Sequence, residues 1–395
     1  MIRSKIVKFI FWATAGVALL YSSYRYPLQI NSADTSPTYS DTPPLLQAGK
    51  YLILAMACVV MSFAAGGFYL SRRRLGFVAL YVLLCAYPII RFIFDRDARY
   101  LTFPFVAIVV LFLSVSVRGV NAKSIDAFIK FTIFFSLIVN LAEVILFFTV
   151  GRLPALAYED TIAVRFGSFL DDPNGFGALL FLLLGHAWCS PRTLTNRVCL
   201  CGIFLSVVLT QSLTALGFLA LLIVAWGFTN HFKTTLAVSM LGFVVALLPS
   251  LFEGRVSDDN GLLQSVFSAK QASSDEHFSA FKVNNPGDLT MWILGGADRS
   301  ITESWWIDSL NNYGLIWTAL LFCMFSAFLW RLYIVCRTAS CATLRRVAWG
   351  ALLFSIYVVI ASVNLPFVTV FPINFIFMMF LCLFMLEKLR DHEVS

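Results

Sequence analysis

The chain has 395 residues, 59% of them hydrophobic and 13% charged, with a mean hydropathy of +0.82. Soluble domains carry about a quarter charged residues, so this composition excludes a soluble globular fold and implies a chain solvated mainly by lipid. The net charge of +7 is not gathered into a basic cluster alternating with aromatic residues, which argues against a nucleic-acid groove.

In chain order, candidate membrane spans fall near 6–22, 50–70, 75–93, 101–117, 125–150, 174–189, 198–212, 213–229, 235–252, 305–330, 347–363 and 367–386, about twelve in all. A lipid-exposed span must pair its own backbone groups, and the Phe- and Leu-rich runs lack the alternation of a barrel strand. The expected fold is therefore all-α, a polytopic integral membrane protein with about 12 transmembrane helices. The first run follows Arg3, Lys5 and Lys8. The stretch Tyr21-Ser22-Ser23-Tyr24-Arg25 is a poor signal-peptide cleavage site, so that run is read as a retained anchor. The longest polar interruption, from Glu253 to Glu303, leaves no room for a separate soluble domain. Residues 1–395 are read as one membrane-embedded domain with outer loops at 151–173 and 253–304.

Orientation follows from the distribution of Lys and Arg. With both termini in the cytoplasm, about eighteen of the 29 basic residues fall in inner segments, notably 71–74, 190–197 and 331–346, and about eleven are spread over longer outer loops. Most acidic residues lean the other way, so the positive charge is a topological signature. None of the nine cysteines lies in an outer loop, so no disulfide framework is implied. Cys199 and Cys201 lack a second pair or a nearby histidine for zinc.

The Pro-, Ser- and Thr-rich loop 23–49 carries no assigned chemistry. In 151–173, Asp171-Asp172-Pro173-Asn174 has the form of a helix start, an acidic cap followed by proline at the first helical position. Arg165 stands several residues before it with no acid at helical spacing, although Glu159 or Asp160 can reach it through a turn. It is either an interfacial arginine or an anion ligand. Arg255 follows a span directly and either snorkels to the headgroups or holds an anion. Glu303 precedes Ser304, Trp305 and Trp306, where it either complements the positive end of the next helix or takes part in chemistry. The two tryptophans fit an interfacial belt. Leu294-Gly295-Gly296 reads as a turn rather than a phosphate cradle. Within the spans, Asn140 and Glu143 suit polar pairing between helices or, alternatively, a proton relay. The four histidines are scattered, and HExxH, P-loop and GxGxxG patterns are all missing, so no metal or cofactor is expected.

The order of these features resembles the O-antigen polymerase and ligase superfamily of bacterial membrane glycosyltransferases. RFGSFLDDPNGFGALL resembles its arginine loop leading into a proline-asparagine helix start, and LTQSLTALGFLALL its Thr-Ser turn between two spans. GRVSDD opens a long outer loop as the family's second arginine segment does. ILGGADRSITESWWIDSLNNYGLIWTALLF closes that loop with a glycine turn and a polar-aromatic run ending in Gly-Leu-Ile.

The resemblance implies transfer of a glycan from an undecaprenyl-diphosphate carrier on the periplasmic face of the cytoplasmic membrane, without metal or nucleotide. The chemistry agrees: displacing a lipid diphosphate puts negative charge on the leaving group, and without a metal cluster the available stabilisers are arginines, whose forks suit phosphate oxygens. Carried over, the family's arginines fall on Arg165 and Arg255, and Arg299 is a further candidate for the diphosphate. Glu303 is the candidate base for the acceptor hydroxyl, with Asp308 in reserve. Ligases of the superfamily typically carry histidine near the position of Glu303-Ser304, and its absence here favours a polymerase that joins carrier-linked repeat units. The implied partners are a carrier-linked donor and acceptor, the bilayer, a chain-length regulator and a flippase. A lipid A-core ligase is the nearest alternative, and a lipid-linked sugar flippase the alternative from another class.

Overall fold

A computed structural model describes residues 2–21, 44–150, 157–159, 163–170, 173–230, 293–296, 304–363 and 367–390. It is mostly helical. The helices are α1 (Ile2–Leu20), α2 (Pro44–Ala65), α3 (Leu75–Asp95), α4 (Thr102–Ser116), α5 (Ala122–Val150), α6 (Pro173–Trp188), α7 (Leu194–Leu209), α8 (Leu213–Asn230), α9 (Trp305–Thr338), α10 (Ala342–Ala361) and α11 (Ile373–Met385). Each candidate span coincides with one of them except 235–252, which lies outside the described residues. Among the described residues, 5 helical stretches are long and apolar enough to cross a membrane: Ala48–Ala65, Arg72–Asp95, Ala122–Thr149, Trp305–Thr338 and Ala342–Ala361. Those at Thr102–Ser116, Leu194–Leu209, Thr214–Asn230 and Ile373–Met385 are apolar but shorter.

The chain divides into two compact units, one of 1–212 with 288–395 and one of 213–287. The described part of the second is α8. In the first unit, α6 and α11 are buried along almost their whole length, as their predominantly apolar sequences require. Helices α6 and α10 meet backbone to backbone. A Cβ on Gly185 would stand 2.6 Å from the Trp349 carbonyl oxygen, and one on Gly350 2.8 Å from that of Leu182. Small residues at such a crossing let backbones touch, which is how helices gain packing energy where lipid supplies no hydrophobic drive.

The outside of the unit is apolar. Phe63 is 82% exposed and Phe148 80%, while Asp126, Asn140, Glu143 and His186 are buried. In water this would be a large unfavourable apolar surface; against lipid chains it is the expected arrangement, so the helices suggest a membrane protein.

The inner segments assigned from charge meet at one end of this unit. Asp126 at the start of α5 accepts from His186 Nε2 at 2.9 Å, from Arg346 Nη2 at 3.0 Å and from Lys130 Nζ at 2.6 Å, joining α5, α6 and α10. Glu387 pairs with Arg74 and, at 2.6 Å, with Arg331. Lys388 donates to the carbonyls of Tyr69 and Val117, the latter at 2.9 Å. Two short strands, β1 (Val120–Asn121) and β4 (Leu389–Arg390), pair in parallel beside it. Buried charges are tolerated here because each is matched by an opposite charge or a carbonyl dipole.

Candidate functional site

Helices α3 and α5 both start at this basic end and run away from it, and the elements that carry the predicted site are anchored near their far ends. Strands β2 (Ala157–Glu159) and β3 (Ala163–Arg165) form an antiparallel hairpin with Ala157 across from Arg165 and Glu159 across from Ala163. Arg165 therefore closes β3, and the chain then turns into the unit: Phe166, Ser168, Phe169 and Leu170 are buried. Such a turn has polar backbone groups that lipid cannot satisfy. They are met by α5. Glu143 Oε2 accepts from the Ser168 amide at 2.9 Å and from Asn140 Nδ2 at 3.3 Å, and Ser168 Oγ donates to the Ser136 carbonyl at 3.0 Å. Ser206 Oγ on α7 donates to Asn140 Oδ1 at 3.0 Å, and the Phe166 amide donates to the Leu209 carbonyl at 3.2 Å. Ser168 has φ of 53°, a left-handed conformation disfavoured for serine, and its two bonds to α5 offset that cost.

Ser136, Asn140 and Glu143 lie on one face of α5 by helical spacing. Of the two readings of Asn140 and Glu143, Asn140 makes the polar pairing between helices, and Glu143 holds the backbone of the arginine turn. Sequence reasoning missed that second role; the Ser-Asn-Glu stripe was its available signal. Pro173 is the first residue of α6, as the helix-start pattern predicts, while Asp171 and Asp172 lie outside the described residues.

The second anchor joins α3, α9 and the segment 293–296. Pro88 lies inside α3 and has no N–H for the Leu84 carbonyl four residues earlier. Trp317 Nε1 donates to that carbonyl at 2.9 Å. Helix α9 is interrupted at Gly314, which has φ of 79° and ψ of 175°. The Asn311 carbonyl, which an unbroken helix would pair with residue 315, accepts from the Gly296 amide at 2.7 Å. Gly295, with φ of 87°, packs so closely that a Cβ would fall 2.5 Å from the Asn312 carbonyl oxygen. A Cβ on Gly314 would fall 2.6 Å from Gly295 N. From α3, Tyr87 Oη donates to the Leu294 carbonyl and Arg91 Nη2 to that of Gly296 at 2.6 Å. Ile293 and Leu294 are helical, and Gly295 and Gly296 leave that helix, the Gly296 amide being committed to α9.

Aromatic rings fill the space around this junction. Tyr313 lies 4.4 Å from Trp317 and 5.7 Å from Tyr100 between ring centroids, and Trp305 lies 5.0 Å from Trp306. Trp305 is buried inside the unit and Trp306 donates Nε1 to the Val359 carbonyl at 3.0 Å, so Trp305 belongs to the packing of the site wall rather than to an exposed belt.

Asp308 sits in the first turn of α9, half-buried, and its amide donates to the Ser304 carbonyl at 3.0 Å. Ser304 is the N-cap, its Oγ accepting from the Ile307 amide at 3.4 Å. Glu303, Arg255 and Arg299 lie outside the described residues. Gly296 and Ser304 bracket Arg299 and Glu303 in the chain, and both are fixed against the start of α9. Among the described residues, no group of 3 or more His, Cys, Asp or Glu side chains could hold a metal. Comparison with protein-family models, with curated proteins and with solved structures finds no match.

Proposed function

We propose that this protein is a membrane glycosyltransferase that polymerises undecaprenyl-diphosphate-linked oligosaccharide repeat units into O-antigen or exopolysaccharide on the periplasmic face of the bacterial inner membrane. The observation that carries this reading is the shared placement of two turns. The one after Arg165 and the one before Arg299 and Glu303 are both built into the helices near the end away from the Lys- and Arg-rich segments. By the positive-inside rule that basic end is cytoplasmic, which makes the opposite end periplasmic. With both termini inside and about twelve crossings, 253–304 becomes a periplasmic loop.

In this reading Arg165, Arg255 and Arg299 hold the carrier diphosphate and stabilise the charge it gains on leaving, and Glu303, or Asp308 in its place, accepts the proton of the attacking sugar hydroxyl. The acceptor oxygen forms the new bond to the anomeric carbon as the bond to the carrier diphosphate breaks. Arginine supplies the electrostatic role that a divalent ion would otherwise fill. Polymer synthesis by purified protein should accordingly survive EDTA, and a loss restored by one added divalent ion would refute that assignment.

A lipid-linked sugar flippase is favoured by one observation, the break in α9 at Gly314, since transporters build sites at interrupted helices. The break lies near the start of α9, however, and its exposed carbonyl is already taken by Gly296. A deletion strain distinguishes the readings. Loss of the polymerase leaves single repeat units on the surface lipid, or on the carrier, with no long-chain ladder. Loss of a ligase leaves long chains on the carrier that never reach the lipid A-core, and loss of a flippase leaves single units on the cytoplasmic face. Long carrier-linked chains in the deletion strain would refute the polymerase.

A further inference from the structure

Tyr87 and Arg91 are four residues apart on α3, so they share a face, and they bond the carbonyls of Leu294 and Gly296 on either side of Gly295. Arg91 is oriented for this by Asp95, whose Oδ2 lies 3.0 Å from the same Nη2, and by the Tyr100 ring, 5.8 Å from its Cζ. The guanidinium side chain is 17% exposed. Asp95 on the same helix meets the charge of this guanidinium, so its bond to the Gly296 carbonyl ties the returning backbone to α3 without leaving a buried charge unpaired. The gripped residues lead into the short stretch containing Arg299 and Glu303, and that stretch ends at Ser304, itself fixed as the cap of α9.

We infer that Tyr87 and Arg91 are positioning residues that clasp Leu294 and Gly296 against the start of α9, and so hold in place the helix end whose first turn carries Asp308. This rests on the polymerase reading for its catalytic consequence but not for its geometry. The clasp works with the two glycines. Gly295 and Gly314 allow the turn to lie against the broken helix, and the α3 side chains hold it there. Because Arg91 directs its bonds to protein groups, its loss should disturb the placement of other residues rather than remove a direct contact to substrate.

The test uses full-length protein in lipid nanodiscs, as wild type, R91Q, R91K, Y87F and D95N. Hydrogen exchange of the peptide covering 293–296 should be at least tenfold faster in R91Q than in wild type, with exchange around Asp126 unchanged. R91K, which keeps one charged donor, should fall between them, and D95N, which leaves the gripped carbonyl untouched, should show a smaller increase. With carrier-linked repeat units as substrate, R91Q should lower kcat about tenfold with KM little changed, as a loss of catalytic geometry rather than of binding. Unchanged exchange in both R91Q and Y87F would overturn the clasp. Faster exchange with wild-type kcat would overturn the positioning role. A raised KM with unchanged kcat would mean that Arg91 binds substrate itself and would also overturn it. If R91Q does not fold, R91K and Y87F decide by the same two readouts. Wild-type protein without polymerising activity would remove the polymerase reading alone, since exchange still decides whether the clasp exists.

Discussion

Trp317 donates its indole N–H to the Leu84 carbonyl at 2.9 Å, the carbonyl that Pro88 cannot reach, so a side chain of α9 repairs the backbone of α3. Trp317→Phe keeps an aromatic ring but removes the N–H and part of the indole, leaving a buried carbonyl unpaired, and should cost about 1–3 kcal/mol of stability for the lost bond alone. Pro88→Ala restores the helical N–H, so Trp317→Phe should cost markedly less in that background. Thermal unfolding of the two single variants and the double variant in one detergent checks this; additive losses would show that the indole matters for packing alone.

Glu143 offers the acceptor for the Ser168 amide, and Glu143→Ala should leave that amide buried and orphaned at a cost of about 1–3 kcal/mol. Glu143→Gln keeps an acceptor of the same length and should lose less. Because Ser168 follows Arg165 so closely, Glu143→Ala should also raise the KM for the carrier-linked donor. Stability and KM that are both unaffected would mean the turn is held by Ser136 and Leu209 without it.

Gly314→Ala places a Cβ against the backbone of Ile293 and Gly295 and forces on alanine a positive-φ, extended conformation essentially confined to glycine, which by itself costs about 1–3 kcal/mol. Gly314→Ala should therefore lower both the folded yield and the polymer yield more than Gly217→Ala, where a Cβ would meet nothing within 4 Å. Comparable behaviour of the two variants would indicate that α9 can straighten without consequence.

Arg165→Ala and Arg255→Ala should each remove most polymer at unchanged membrane levels, and lysine should restore only part, keeping the charge without the fork. Gel analysis of surface glycan at matched expression measures this. Normal ladders from both alanine variants would reduce the two arginines to interfacial residues.

Burial pushes the Cys189 thiol, in the connection from α6 to α7, up to about 11, although Arg345 and Arg346 act in the opposite direction. The thiolate is the reactive form, so at neutral pH Cys189 should hold about a hundredfold less of it than an ordinary thiol, and labelling should quicken about tenfold per pH unit as pH rises towards that value. With the other cysteines replaced, an impermeant maleimide should label Cys189 slowly in inside-out vesicles and not in right-side-out ones. Reporter fusions near Arg73 and Gly287 give the complementary measurement. Labelling from the periplasmic side, or a cytoplasm-active reporter at Gly287, would reverse the orientation and with it the site.

Much of the framework can be read from composition and spacing. Apolar runs mark the helices because a lipid-solvated segment must satisfy its backbone internally. Pro173 marks the start of α6 because its missing N–H is harmless there. The clustering of Lys and Arg identifies the segments that meet around Asp126 and Glu387, because charge distribution along a membrane chain records which ends lie together. Tertiary structure alone decides what these pieces do for one another. No sequence spacing joins Glu143 to Ser168, Trp317 to Leu84, or Arg91 to Gly296, since each partner is specified by how helices pack and not by the residues beside it. Trp305 shows the same limit: its position at a helix start suggests an interfacial belt, yet it is buried, its ring packed against Phe103 of α4 and Phe325 of its own helix.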